Sequence, residues 1–186
     1  MTAAFPDLVF VAIQTTGSDV NKDLIVDIAI VAEDGTTVLN TAIAPWNLEG
    51  ELPEELGYTK GDLAPSPLFA KLALQILGLL TRPIIAGHNT QFAMRFIDHF
   101  LRASFTDAGE DVDELMGRLS TKFLDTVTLS HEQIGKMGLE EAMQYLRLPY
   151  QPNHSSLEDA RASRTLYQKL SRASAWQRWW WKRRAP

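Results

Sequence analysis

Leu8-Val9-Phe10-Val11-Ala12-Ile13-Gln14-Thr15 is rich in β-branched and aromatic side chains and reads as a buried strand. Gly17-Ser18-Asp19 breaks it. A second such run covers residues 24–32, Glu33-Asp34-Gly35-Thr36 reads as a hairpin-type turn, and residues 37–44 form a third strand. Three strands joined in this way predict an antiparallel meander.

The rest of the chain changes period. Residues 45–67 hold four Pro and three Gly and read as a long connection with one short helix. Residues 66–80 have helical spacing, with Ser66 as cap and Pro67 at the first helical position. A short buried strand is predicted at 83–86. A helix follows at 89–102, where Phe92, Phe96 and either Ile97 or Phe100 recur at three- and four-residue steps. Residues 105–118 are polar and acidic, a loop or surface helix. A short strand at 122–126 precedes helices at 127–137, 139–146 and 156–171. This order predicts an α/β domain with a mixed sheet. No internal repeat and no splitting linker interrupts residues 1–171, which read as one domain followed by a tail, 172–186.

Composition bounds the function. The chain has 186 residues, 45% hydrophobic and 22% charged, a globular balance that excludes disorder throughout. It has no Cys, which excludes disulfides, zinc ribbons, iron–sulfur sites and thiol catalysis. No apolar run approaches the ~18 residues of a membrane span. The start, Met-Thr-Ala-Ala-Phe-Pro-Asp, has no basic region ahead of an apolar stretch, so no signal peptide is read and the cytoplasm is the expected location. The net charge of −5 is unevenly spread. Residues 1–171 carry all 23 acids against thirteen Lys and Arg, a balance of −10. The tail carries five basic residues and no acid. An acidic body repels a polyanion, and a basic tail attracts one.

Four blocks carry a resemblance. They are Phe10-Val11-Ala12-Ile13-Gln14-Thr15-Thr16-Gly17, Gly87-His88-Asn89-Thr90-Gln91-Phe92-Ala93, Lys122-Phe123-Leu124-Asp125-Thr126 and His154-Ser155-Ser156-Leu157-Glu158-Asp159-Ala160. In this order and at these distances they resemble the DEDDh 3'-5' exonucleases, the DnaQ-like family, over roughly residues 8–170. The resemblance implies a ribonuclease H-like fold with a five-stranded mixed sheet flanked by helices. It also implies Mg2+ or Mn2+ chemistry, in which four acids hold two metals and a His acts as general base. The first two acids stand two residues apart on a strand, a step that puts both on one face.

This chain departs from the pattern at the ligands. The first-block acids fall at Ala12 and Gln14, and the second-block acid falls at Ala93. Only His154 and Asp159 remain, so Asp159 alone would offer a metal a carboxylate. Ala has no oxygen to offer, and the Gln carbonyl is a poor partner for a hard dication. The expectation is an inactive homologue with no cofactor as it stands. Two origins stay open: a natural pseudo-nuclease that binds a single-stranded 3' end or a protein partner, and an active Mg2+-dependent exonuclease inactivated by substitution. A scaffold that kept only the fold is a third. Asp27 and Asp125 read either as structural hydrogen-bonding residues or as parts of a rebuilt one-metal site. Asp98, about 140° around the helix from Ala93, points elsewhere.

Other retained residues have two readings each. Thr15, Thr16 and Gly17 resemble the loop that lines the family's 3'-nucleotide pocket, or form a strand-ending turn. His88, Asn89 and Phe92 resemble the family's second block and are read with its nucleic-acid-binding residues, or serve the fold, with Asn89 as the cap of the helix that carries Phe92. In the tail, Trp176, Trp179 and Trp180 would share one face of a helix, with Arg178 and Lys182 on another. That face would pack on the body or a second copy, stack on single-stranded bases, or anchor a partner protein or membrane surface.

Overall fold

The computed structural model describes residues 6–46, 51–153 and 155–184. His154 lies outside the described residues. Five strands form one sheet: β1 (Leu8–Thr15), β2 (Ile25–Ala32), β3 (Thr37–Ala42), β4 (Ile84–Gly87) and β5 (Phe123–Asp125), in the spatial order β3-β2-β1-β4-β5. The first three pair antiparallel, as the meander predicts, and β1–β4 and β4–β5 pair parallel. The expected mixed five-stranded sheet flanked by helices is what the chain forms.

Strand alternation separates two packing layers. Val9 and Val11 face one way, into the largest core cluster, with side chains from α2 (Phe69–Leu80) and α3 (Thr90–Asp107). Leu8, Phe10 and Ala12 face the other way, against Ala160 and Tyr167 of α7 (Ser156–Ser171). Phe10 and Tyr167 meet at 5.6 Å between ring centroids. The polar end of β1 therefore has α7 over one face and the start of α3 near the other. Gly87 makes room there: a Cβ at this position would lie 2.7 Å from the Val11 carbonyl oxygen.

Several boundaries differ from the sequence expectation. The connection after β3 holds two helical pieces, a 3-10 turn at Glu54–Leu56 and α1 (Lys60–Leu63), capped by Thr59. The next helix starts at Phe69, not at Pro67. The Pro67 carbonyl accepts from the Ala44 amide and ties the connection to the end of the meander, and Ser66 caps nothing. α3 runs on to Asp107, because Leu101 and Phe105 are buried and continue its apolar stripe. A short α4 (Val112–Met116) follows, capped by Asp111. α5 (Thr126–Ile134) ends at Gly135, whose φ of 68° stops the helix before the expected residue 137. α6 (Leu139–Tyr145) and α7 stand where the pattern puts them.

The tail folds as α8 (Ala175–Arg184). It packs on a third cluster built from α5, α6 and α7. The ring it buries is Trp181, 7% exposed, with Trp180 packed partly alongside. Trp176 and Trp180, two rings of the expected common face, stack on each other, and the ring seated in the body is their neighbour Trp181. Trp181 lies one helical turn past Gln177, and the Tyr145 hydroxyl donates to its carbonyl at 2.8 Å, which fixes the rotation of the helix. Among the described residues no helix is long and apolar enough to cross a membrane.

Candidate functional site

A cleft of about 180 Å³ opens at the polar end of β1 and β4. Ala12, His88, Asn89, Phe92, Ala93 and Asp159 line it together with Tyr150 and Ser163. Residues as far apart in the chain as Ala12 and Ser163 meet here because β1 and β4 are parallel neighbours and α7 crosses over β1. Thr15, Thr16 and Gly17 are not part of its lining.

Two neutral side chains donate to Asp159. Gln14 Nε2 donates to Asp159 Oδ2 at 2.8 Å, and the Tyr150 hydroxyl donates to Oδ1 at 2.7 Å. Burial and the bond to this carboxylate push the Tyr150 phenol well above its ordinary range. Ala12 and Ala93 contribute only methyl groups, and Ala93 is buried. Ser163 Oγ is buried in the wall with no hydrogen-bond partner.

Mg2+ or Mn2+ does not fit this donor set. A hard dication needs several charged or carbonyl oxygens around it. The amide of Gln14 turns its donor side, not its carbonyl, toward the one carboxylate. Among the described residues no group of three or more His, Asp or Glu side chains could hold a metal.

Asp27 lies on β2 opposite Gln14 in the strand register and is buried. Its Oδ2 accepts from the Tyr58 hydroxyl at 3.0 Å and from the Ser156 amide at 3.4 Å. Burial raises its pKa, with the nearby Asp159 charge adding to the effect. Tyr58 in turn is pushed up to about 12, by desolvation first and then by the Asp27 charge. Asp27 joins β2 to the start of α7, which is the structural reading of the two.

Asp125 also acts within the fold. Its carboxylate accepts from the amides of Asn89 at 3.0 Å, Thr90 at 2.9 Å and Val127 at 2.9 Å, so it serves the N-termini of both α3 and α5. Asn89 occupies the cap position of α3, but its side chain caps nothing. Its backbone sits at φ 66°, ψ 53°, and the amides of Asn89 and Thr90 go to Asp125. The expectation that Asn89 caps the helix is corrected accordingly. His88 is tied down on both nitrogens, to Thr126 Oγ1 at 3.0 Å and to the Met137 carbonyl at 2.6 Å. Burial lowers its pKa and favours the neutral ring.

The loop after β1 closes on itself. Thr15 Oγ1 donates to the Gly17 carbonyl at 2.6 Å, and Thr16 Oγ1 donates to Asp23 and accepts from the Leu24 amide. A Cβ on Gly17 would run into the Asp23 carboxylate. These bonds hold the loop in its turn. Asp98 pairs with Arg102 and lies away from the cleft, as its helical angle predicts.

Tyr150, Tyr58 and Ser163 escape the reading of the sequence. Tyr150 stands in the segment Leu148-Pro149-Tyr150-Gln151-Pro152, where no periodicity gives a side chain a direction. Its position between two prolines, nine residues before Asp159, is the one local signal.

The exonuclease family RNase_T has a model that matches residues 13–167. No curated protein sequence matches the chain. Solved structures of similar fold include exonuclease I in its apo form, with 16% identity, a TM-score of 0.70 and coverage of 94% of this chain and 44% of that one. The Escherichia coli (E. coli) exonuclease I complex with a dT13 oligonucleotide has 15% identity and a TM-score of 0.67, covering 89% and 41%. The dA16 complex of the same enzyme has 15% identity and a TM-score of 0.69, covering 93% and 42%. The chain therefore spans less than half the length of these structures, and at such identity the likeness establishes the fold, a ribonuclease H-like one.

Proposed function

The chain belongs to the RNase_T exonuclease family, and on that basis we propose that it is a DEDDh-type pseudo-nuclease that holds the 3' end of a single-stranded nucleic acid without cutting it. The observation that carries this reading is the pair of hydrogen bonds on Asp159. Gln14 and Tyr150 occupy both oxygens of the one acid retained among the four ligand positions. Metals in such a site supply several kcal/mol of charge stabilisation and generate the nucleophile. Each ~1.4 kcal/mol lost from that stabilisation is a tenfold loss in rate. Without a metal-held water, His154 has nothing to deprotonate.

What remains suits binding. The cleft keeps Phe92 for apolar contact and Asn89 and Ser163 for hydrogen bonding. Two solved exonuclease I structures of the same fold hold oligonucleotides, dT13 and dA16. Neutral donors on Asp159 remove the need for cations to offset a cage of acids, so binding here is expected to survive chelation.

The test pairs digestion with binding. Single strands ending in a 3'-hydroxyl or a 3'-phosphate are offered with Mg2+, with Mn2+ and with EDTA. We expect no digestion, a preference for the free 3'-hydroxyl, and unchanged affinity in EDTA. A Mn2+ titration by calorimetry is expected to show no stoichiometric uptake. Metal-dependent digestion by the unaltered chain, or binding that collapses in EDTA, overturns the reading.

A second reading is an active exonuclease represented by an inactivated variant. It is favoured by the convergence of Ala12 and Ala93 on one cleft, with Gln14 reaching its Asp159, in an otherwise complete fold. The triple change Ala12→Asp, Gln14→Glu, Ala93→Asp is expected to restore digestion in Mn2+, and the sequence of the gene separates the two origins.

A further inference from the structure

We propose that the exposed face of α8 is a second nucleic-acid surface, which binds the bases and backbone of a single strand independently of where the strand ends. It extends the binding reading above but does not require the cleft to be occupied.

The anchoring of the helix leaves this face outward. Trp181 is buried and its carbonyl accepts from Tyr145, so α8 has one seated side. Trp176 and Trp179, on other sides, are 67% and 51% exposed. Large rings rarely stay exposed in pairs without a partner. Trp176 stacks on Trp180 at 6.4 Å with 25° between the planes, and the Arg183 guanidinium lies over the Trp179 ring at 4.3 Å. Arg178 and Lys182 are exposed on the same helix.

Charge selects the occupant. The chain has no acid beyond Asp159, and eight basic residues lie after it, five of them in residues 172–186. A polyanion with flat apolar faces matches aromatic rings interleaved with cations. The body, at −10, repels the same polyanion, so without such a surface the chain would have little long-range attraction for a strand. Position also suits a strand that continues from the cleft. Leu139 at the start of α6 lines the cleft, and Tyr145 at its end holds Trp181. The seven residues of α6 span about 10 Å at ~1.5 Å each, the reach of a few nucleotides.

The test uses the full chain and a fluorescein-labelled oligothymidylate of about twelve nucleotides, within the ~4–16 that such surfaces cover. Anisotropy is read across a salt series, with 3'-hydroxyl and 3'-phosphate forms side by side. The variant Trp176→Ala/Trp179→Ala changes exposed side chains, and a thermal melt confirms that it folds. We expect it to lose about tenfold in affinity or more for both end forms. Arg178→Gln/Lys182→Gln is expected to flatten the log–log salt slope by about 1.4, at ~0.7 per lost charge on a single strand.

Unchanged affinity in the tryptophan variant overturns the proposal. A loss confined to the 3'-hydroxyl strand also overturns it, and assigns recognition to the cleft alone. Unchanged affinity with a change from dimer to monomer in light scattering overturns it in favour of a second copy as the occupant. Equal loss for both ends, in a chain that shows no end preference, supports α8 and refutes the cleft reading.

Discussion

Gln14 Nε2 lies 2.8 Å from Asp159 Oδ2, so an amide on the central strand donates to the first turn of α7. This hydrogen bond ties the strand to the helix. A neutral donor does not repel its carboxylate partner.

Gln14→Glu is expected to break this junction. Two carboxylates at hydrogen-bond distance cannot both stay ionised without cost. The variant should melt below the unaltered chain at pH 8 by the equivalent of about 1–3 kcal/mol and regain stability as pH falls and one proton is shared. Thermal melts across pH 4–8 would read this, and a pH-independent difference would count against the arrangement.

Alkaline stability follows from the two phenols. Tyr58 is pushed up to about 12 and Tyr150 higher, from an ordinary 10.0, with burial as the first cause in both. A raised folded pKa means that the folded chain keeps protons the unfolded chain releases. Stability from these groups is fully present below pH 10 and is lost as pH rises from about 10 toward about 12 and beyond. Urea unfolding from pH 8 to 11.5 should show that decline. Tyr58→Phe and Tyr150→Phe should each flatten it, at a cost of about 1 kcal/mol at neutral pH for the lost hydroxyl bond.

Asp27→Asn should behave oppositely to a change at a stabilising ion. The Asp27 pKa is raised by burial, so ionising it at neutral pH works against the folded state. That handicap is absent below the unfolded value of about 3.8 and grows as pH rises through the folded pKa. Asn presents a carbonyl to the same Tyr58 and Ser156 donors without the charge. The variant is expected to be as stable as the unaltered chain, or more so, at pH 7, with the difference closing toward pH 4. A large loss at pH 7 in calorimetric melts would point to a role for the ionised group.

Asp125→Ala should cost far more than any change at Asn89. It leaves the amides of Asn89, Thr90 and Val127 without their shared acceptor, at about 2–4 kcal/mol on the scale of lost helix caps. Asn89→Gly, which keeps the left-handed backbone and removes a side chain that caps nothing, should fall within about 0.5 kcal/mol of the unaltered chain. Denaturant unfolding of the two variants checks the assignment.

Local chemistry was sufficient for most of the frame. The alternation of Leu8–Thr15, the turn at Asp34-Gly35 and the stripe through Phe92 and Phe96 announce strand, hairpin and helix, because each depends on neighbours within a few residues. The same holds for the two-residue step that turns Ala12 and Gln14 toward α7. Boundaries were less legible. Pro67 suits a helix start, but its carbonyl is taken by Ala44 across the connection.

Partnership was left to the folded chain. Nothing near Gln14 announces that its amide meets a carboxylate 145 positions away, and nothing near Tyr150 directs its hydroxyl to the other oxygen. The tail is the same case: four tryptophans in six residues are equivalent as letters, and the site offered by α5, α6 and α7 buries Trp181 while leaving Trp176 and Trp179 in solvent. Periodicity gives a side chain its direction within its own element. The groups it meets there come from other elements, and their arrival depends on sheet order, strand register and helix rotation, which are set by the packing of the whole core.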